Sequence, residues 1–229
     1  MDRKFPITKD RLRNAWTYSR WVIVLLIALS LGGCNLFYEM TAYRVPEDKK
    51  VEFFLDLYGS ADAALDGLME SIHREALPEL EQVSYRFMNL DETYGSMQLT
   101  TWISAGEGNV FWLTEDTFRM LAESGALQPL QPLIDEGRID VGEADLAAGY
   151  AVDQDSGTRM LFGVPTAVLP GLEGYGIYGT GYVAILVQQG AELDHSVTFF
   201  NYLTTHLREP IAAPAASEAA PAPTVAPAA

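Results

Sequence analysis

Residues 106–130, GEGNVFWLTEDTFRMLAESGALQPL, constrain the fold more than any other stretch of the chain. A short apolar run, 109–113, stops at a polar turn, and a helical pattern follows with Phe118, Leu121 and Ala122 on one face. Because the run is too short for a helix, the pattern predicts a strand, a tight turn and a helix. Open α/β sheets usually hold their ligands where such a turn lies, at the carboxyl ends of the strands.

The same alternation of strand and helix occurs twice before this unit. Residues 51–58 and 82–90 predict two more strands, and residues 64–76 and 91–104 predict the helices that follow them. The apolar and polar residues alternate in 82–90, which is typical of a strand near a sheet edge. Repeated alternation implies a parallel sheet with right-handed crossovers. We therefore predict an α/β fold, a three-layer sandwich with a mostly parallel sheet.

The elements after residue 130 do not follow this regular alternation. A glycine-rich loop over 171–181 leads to a strand at 182–187 and a helix at 194–207, which complete a domain spanning 51–209. From position 210 the chain is mostly Ala, Pro and Ser, which are too poor in large apolar groups to bury a core. Residues 210–229 are predicted to be a disordered tail.

Composition divides the chain into two parts. With 229 residues, 48% of them hydrophobic, it can bury one ordinary core. Up to position 44 it has seven basic and three acidic residues, whereas beyond that position it has eight and 28. An acidic folded part argues against nucleic-acid binding, because phosphates are bound by basic side chains. Cys34 is the single cysteine, so an internal disulfide and a cysteine-based zinc site are excluded.

An apolar segment at 21–38 follows a leader with six basic residues. Its uncharged run of about 17 residues is near the lower limit for crossing a bilayer, and basic residues before it predict that the amino terminus lies inside. A buried core helix is the alternative, which the basic leader and flanking aromatic residues disfavour. We expect a cytoplasmic segment at 1–20, a membrane anchor at 21–38 and a stalk at 39–50.

A second form of membrane attachment competes with the anchor. The sequence Leu-Gly-Gly-Cys that ends at Cys34 resembles the lipobox of bacterial lipoproteins, in which the cysteine is lipidated and becomes the new amino terminus. The leader is long for a signal peptide and the apolar run continues past Cys34, which favours an uncleaved anchor. Both alternatives place the residues after about 45 outside the bacterial cytoplasmic membrane.

Two segments carry a resemblance to a known family. Residues 105–134, AGEGNVFWLTEDTFRMLAESGALQPLQPLI, and residues 161–166, LFGVPT, look like segments of the extracellular solute-binding proteins of bacterial ABC importers. The Tyr18–Trp21 segment, which runs directly into the apolar residues, is like that of membrane-anchored relatives in Gram-positive bacteria. The resemblance covers about 51–207 and implies a lobe like those of periplasmic binding proteins.

The chain departs from that family in one respect. Family members close two lobes over the ligand, but here only about 20 residues, 140–159, occupy the place of the second lobe. One lobe cannot clamp a small solute, so the departure implies weak binding or a larger ligand. Carried over by position, the resemblance implies these ligand-facing residues: Tyr58, Ser60, Thr114, Glu115, Asp116 and Thr166. Their side chains suit sugars, peptides or other polar solutes. Alternatively, Ser60 and Thr114 only cap helices.

The sequence contains other motif-like segments, but none meets the requirements of a known ligand or catalytic site. The GxGxxG of residues 174–179 lacks the preceding strand and following helix of a dinucleotide site. Residues 153–157 lack the closing glutamate of a calcium loop. The sequence also has no nucleophile elbow, HExxH motif or phosphate-binding lysine loop. We expect no enzymatic activity, no cofactor and no metal.

Two functions are therefore expected. The first is a membrane-anchored extracytoplasmic protein that recognises a small polar solute non-covalently, with an ABC permease as the partner that the resemblance implies. The alternative is a structural or interaction module whose exposed sheet edge or glycine-rich loop binds another cell-envelope protein.

Overall fold

The computed structural model describes residues 9–41, 43, 45–59, 63–88, 95–153, 157–188 and 190–211. The chain forms two compact units, Met1–Arg44 and Val45–Ala229. The first contains helix α1, Lys9–Thr41. The second contains strands β1 Lys50–Leu55, β2 Gln82–Phe87, β3 Val110–Leu113, β4 Tyr150–Val152, β5 Arg159–Leu161, β6 Gly163–Pro165 and β7 Tyr182–Ile185, and helices α2 Ala63–Glu75, α3 Gly95–Ser104, α4 Glu115–Glu123, α5 Gln131–Asp135 and α6 Gly190–His206.

Helix α1 is 33 residues long and includes the apolar segment 21–38. Large apolar side chains along it are exposed, among them Trp21, Leu29 and Phe37. Within the described parts of the chain, no helix satisfies both the length and the hydropathy that a bilayer crossing requires. The helix continues to Thr41, into the segment predicted as a stalk.

The second unit is built on a five-stranded sheet of order β2-β1-β3-β7-β6. Strand β1 pairs in parallel with both β2 and β3, as the alternation of strands and helices predicts. Strand β7 is antiparallel to both of its neighbours, β3 and β6. Four of the five strands therefore run in one direction, and β2 lies at the edge of the sheet. The predictions of a mostly parallel sheet and of an edge position for β2 are confirmed.

Helices cover both faces of the sheet because its central strands are apolar on both sides. Val51, Phe53 and Leu55 of β1 belong to a core that includes α2 and α6, whereas Phe54 packs on the opposite face with Phe111 and residues of α3 and α4. Fully burying one such aromatic side chain contributes about 1.5–3 kcal/mol. The three-layer arrangement follows from this two-sided burial.

The structure also corrects several predicted boundaries. Strand β1 ends at Leu55 rather than at residue 58, because its pairing with β3 ends opposite Trp112. Strand β2 ends at Phe87, before residue 90. The last helix begins at Gly190, four residues before the predicted start.

One small element was absent from the prediction. Strands β4 and β5 form a two-stranded antiparallel sheet between α5 and β6. A single 3-10 turn at Ala147–Gly149 lies directly before β4. Three-residue strands are too short to show a sequence period. The tail at 212–229 lies outside the described residues.

Candidate functional site

The ends of several strands meet at the carboxyl edge of the sheet. Asp56 follows β1, Thr114 follows β3 and Thr166 follows β6. Because β7 is antiparallel to these strands, the chain enters it at Tyr182 from this same edge. The fold thus brings polar residues from four distant segments of the chain to one edge, where α/β sheets usually bind ligands.

Asp56 is at the centre of a hydrogen-bonded cluster on this edge. Its Oδ2 atom accepts hydrogen bonds from the Thr114 hydroxyl at 2.7 Å and the Thr117 hydroxyl at 2.9 Å. The backbone N–H of Thr114 donates to the same oxygen at 3.4 Å, and the two threonine hydroxyls lie 2.9 Å apart. We call Asp56, Thr114 and Thr117 the Asp56 cluster. It joins the end of β1 to the first turn of α4.

Two members of this cluster, Asp56 and Thr117, were not predicted from the sequence. Asp56 lies inside residues 51–58, which were predicted to be a strand, so its position directly after the true strand end was hidden. Thr117 lies in the first turn of α4, three residues after Thr114. That spacing places the two hydroxyls on one side of the helix start. The sequence did contain a signal for this cluster. Thr114 and Thr117 are three residues apart at a helix start, and Asp56 follows the neighbouring strand.

Thr114 is the N-cap residue of α4, but it does not cap the helix with its side chain. Its backbone is extended, as expected of a residue before a helix, and its side chain makes no cap hydrogen bond. The hydroxyl contacts Asp56 and Thr117 instead. The capping alternative therefore does not account for the Thr114 side chain. The Asp56 carboxylate also lies at the positive end of the helix dipole, which stabilises a negative charge there.

Glu115 and Asp116 are exposed on the first turn of α4. Glu115 forms an ion pair with Arg119 one turn further along the helix. Acidic side chains at a helix start interact favourably with the helix dipole, so both residues also support α4. They add two carboxylates to the surface beside the Asp56 cluster.

The other predicted residues lie apart from this cluster. Tyr58 follows β1 and is 79% exposed. Ser60 lies outside the described residues. Thr166 is buried after β6, which is two strands from β3 in the sheet. At the usual spacing of neighbouring strands this separates Thr166 from Thr114 by about 10 Å.

Thr166 holds the glycine-rich loop in place. Its hydroxyl donates to the Gly179 carbonyl at 3.1 Å and accepts from the Gly181 N–H at 3.0 Å, while its own N–H donates to the Gly181 carbonyl at 2.9 Å. The Thr166 side chain thus fixes residues 179–181 at the carboxyl edge.

The indole of Trp112 lies beneath this loop. A Cβ atom on Gly181 would come within 2.7 Å of the Trp112 ring, so the backbone passes close over the indole. Trp112 is 2% exposed, and its Nε1 atom is buried without a hydrogen-bond partner among the described residues. An unsatisfied buried donor of this kind costs about 1–3 kcal/mol.

No protein-family model and no curated protein matches the chain. Among solved structures, an extracellular solute-binding protein of family 1 from Alicyclobacillus acidocaldarius is similar over 54% of this chain and 28% of its own, with 16% identity and a TM-score of 0.35. An ABC substrate-binding protein from Listeria monocytogenes in complex with cycloalternan is similar over 51% and 28%, with 20% identity and a TM-score of 0.36. A sugar transporter from Rhizobium etli is similar over 51% and 28%, with 15% identity and a TM-score of 0.35. The match spans less than a third of each of these structures.

Proposed function

We propose that this chain is a membrane-tethered, extracytoplasmic binding protein that recognises a small polar solute non-covalently at the carboxyl edge of its sheet. The observation that carries the proposal is the Asp56 cluster, in which a carboxylate and two hydroxyls from separate elements share hydrogen bonds. Such a preassembled set of acceptors and donors can exchange its internal hydrogen bonds for those of a solute at low cost in ordering.

The charges at this edge restrict the kind of solute. Asp56, Glu115 and Asp116 lie at or beside the start of α4, and the exposed ring of Tyr58 follows the neighbouring strand. Carboxylates repel anions and accept hydrogen bonds from hydroxyl and ammonium groups. We therefore propose a neutral or cationic polar solute, such as a sugar, an amino compound or a short peptide. An edge formed by one lobe leaves much of such a solute in water, so we expect weak affinity.

The proposed partner for solute delivery is an ABC permease. The sequence resemblance of residues 105–134 and 161–166 to solute-binding proteins supports this partner. Delivery by this chain would depend on docking at the permease.

Membrane attachment is proposed through the segment 21–38, either as an uncleaved anchor or through lipid on Cys34. The basic leader and the apolar segment support attachment, and the Cys34 side chain is exposed on α1. The test is to express the full chain and a Cys34→Ser variant in a bacterial host, label them with a radioactive fatty acid, and extract the membranes with carbonate. Label in the unaltered chain alone indicates a lipoprotein. Retention of both chains without label indicates an anchor, and release of both contradicts membrane attachment.

Solute recognition is tested by thermal shift, because a ligand that binds only the folded state raises the unfolding midpoint. The full chain is screened in mild detergent against sugars, amino acids, short peptides and metal ions. A saturable shift with one solute class is expected. The titration is then repeated with Asp116→Asn and with Thr114→Val, which remove an exposed carboxylate and a cluster hydroxyl.

Matched variants separate recognition from stability. Glu123→Gln removes one charge at the opposite end of α4, and Thr114→Ser keeps the hydroxyl that Thr114→Val removes. The proposal predicts weaker binding for Asp116→Asn and Thr114→Val only. Unchanged affinity in both, or the absence of a shift with every solute, would rule out this edge as a solute site.

A further inference from the structure

Strand β2 is an edge strand of the sheet among the residues that the structure describes. Its six residues pair with β1 in an unbroken parallel register from Gln82 to Phe87. In the described part of the chain no strand pairs with its other side. An edge strand presents backbone N–H and C=O groups to any extended chain beside it, and proline, bulges or several charges usually prevent such pairing. β2 contains no proline and has Arg86 as its single charge.

A groove runs along this edge between β2 and helix α2. Its volume is about 610 Å³, and its wall on the strand side is formed by residues 83–87. Val83, Tyr85 and Phe87 are half-buried on the face that packs toward α2, and Met69 of α2 is buried beside them. The floor of the groove is therefore apolar, and we call it the α2–β2 groove.

The helix side of the groove is acidic. Asp66 and Glu70 line it and are exposed, one helical turn apart. His73 lies at the far end, where its Nε2–H donates to the Leu80 carbonyl at 2.9 Å just before β2. Glu70 also pairs with Arg74, but at 3.8 Å and with both side chains well exposed, where such pairs are weak. The carboxylates are thus available to a cationic group in the groove.

Arg86 does not neutralise these carboxylates. Its guanidinium lies 3.4 Å from Glu52 and 3.6 Å from Glu107, and it also stacks over the ring of Phe54. Phe54 belongs to the core on the opposite face of the sheet from α2. The single basic side chain of β2 is therefore engaged on the other face.

We propose that the α2–β2 groove binds an extended segment of a partner protein as a sixth strand, with Lys or Arg at alternate positions on the α2 face. The alkyl stem of such a side chain would cover Val83 and Tyr85 while its charged head reaches Asp66 or Glu70, since long basic side chains combine apolar and charged contacts. Backbone pairing would supply affinity, and the basic positions would supply specificity. An added strand of about six residues, at about 3.3 Å per residue, matches the length of β2.

Charge favours a different partner over a second copy of this chain. Beyond position 44 the chain has eight basic and 28 acidic residues. Edge-to-edge pairing of two copies would bring two acidic groove rims together, and like charges at an interface oppose association. A basic partner segment is instead attracted by the negative charge of the groove rim. The proposal involves no member of the Asp56 cluster, so it stands or falls independently of solute recognition.

The test uses the full chain in mild detergent and a fluorescent peptide of about seven residues that alternates Lys and Thr, which places every Lys on one face of a strand. A peptide of the same composition with its Lys residues in one block tests the alternation. Asp66→Lys combined with Glu70→Lys reverses the rim charge. Glu123→Lys combined with Glu143→Lys makes the same change in net charge at two other exposed positions. Fluorescence anisotropy gives affinity, and hydrogen exchange reports protection of β2.

The proposal predicts that the alternating peptide binds more tightly than the block peptide and slows exchange in residues 82–88. The rim variant should bind it about tenfold more weakly, a loss of about 1.4 kcal/mol, whereas the control pair should stay within about twofold. Equal loss in both pairs, equal binding of both peptides, or unchanged exchange in β2 would overturn it. So would dimers that protect β2 without peptide, because the occupant would then be a second copy. Unfolding midpoints confirm that each variant is folded.

Discussion

Asp56 and Thr114 are 58 positions apart in the chain, yet the Thr114 hydroxyl lies 2.7 Å from Asp56 Oδ2. This contact joins the end of β1 to the start of α4. It adds to the backbone connection in which the Asp56 N–H donates to the Trp112 carbonyl. A carboxylate placed here both fixes the carboxyl edge of the sheet and forms part of the proposed solute site.

Removing the carboxylate should destabilise the fold as well as weaken recognition. Asp56→Ala leaves the hydroxyls of Thr114 and Thr117 without their shared acceptor. We expect a loss of about 1–3 kcal/mol in the free energy of unfolding, measured by urea titration. Thr117→Val removes one donor and should cost about 1 kcal/mol. Thr198→Val, at an exposed hydroxyl on α6, is the control and should change stability by less than about 0.5 kcal/mol.

The Asp56 cluster shows what a single sequence can and cannot predict. The alternation of strands and helices was sufficient to predict the parallel β1, β2 and β3, because each element has its own local period. The edge position of β2 followed from the alternation of apolar and polar residues within the strand. The pairing of Asp56 with Thr114 depends on the register between β1 and β3, in which Leu55 lies opposite Trp112. Register is set by tertiary packing, which no local pattern contains.

The glycine-rich loop shows the same limit. Sequence identified Thr166 as a residue near the ligand edge, but its hydroxyl is occupied by Gly179 and Gly181. Those partners are 13 and 15 positions away in the chain. Strand β4 was missed for a different reason, since three residues are too few to show a period.

The backbone at Gly149 lies very close to that of Gly163. A Cβ atom on this residue would lie 1.8 Å from the carbonyl oxygen of Gly163, and backbone cannot move away as a side chain can. We expect Gly149→Ala to reduce the free energy of unfolding by about 1–3 kcal/mol, because it forces the turn before β4 away from β6. Equal stability of this variant and the unaltered chain in urea would contradict the close approach.

Gly67 provides the matched control. It lies inside α2, and a Cβ atom there would meet no atom within 4 Å. Because alanine favours helix over glycine, Gly67→Ala should raise the free energy of unfolding by about 0.5–1 kcal/mol. Replacing glycine by alanine is thus expected to lower the free energy of unfolding at Gly149 and to raise it at Gly67.

Tyr202 should ionise at unusually high pH. Burial, followed by the hydrogen bond that its hydroxyl donates to Glu75 at 3.1 Å, raises the pKa of Tyr202 from 10.0 to about 12. Because the folded state binds this proton more tightly than the unfolded state, the associated stability is complete below pH 10 and is lost as pH rises toward 12.

Two variants test this assignment. In NMR titrations of ring-labelled tyrosine, Glu75→Gln should lower the pKa of Tyr202 but leave it above 10.0, because burial is the larger cause. Tyr202→Phe cannot ionise, so it should lose less stability than the unaltered chain as pH rises through this window. A Tyr202 pKa at its ordinary value in the folded protein would contradict both expectations.

Asp140 makes the stability of the fold depend on pH in the acidic range. The Gly142 N–H donates to its Oδ1 at 2.8 Å, and the Arg208 guanidinium lies 2.9 Å from the same carboxylate. The hydrogen bond from Gly142, and then the one from Arg208, hold the pKa of Asp140 below its ordinary value of 3.8. Since the folded pKa is depressed, the stabilisation is present above pH 3.8 and disappears as pH falls through the folded pKa.

Asp140→Asn should therefore be less stable than the unaltered chain near neutral pH, and this difference in unfolding midpoint should shrink below pH 3.8. Glu136→Gln, which removes an exposed acid nearby, corrects for the general effect of charge. A difference that stays constant down to the lowest pH at which the chain folds would show that Asp140 titrates alike in the folded and unfolded states.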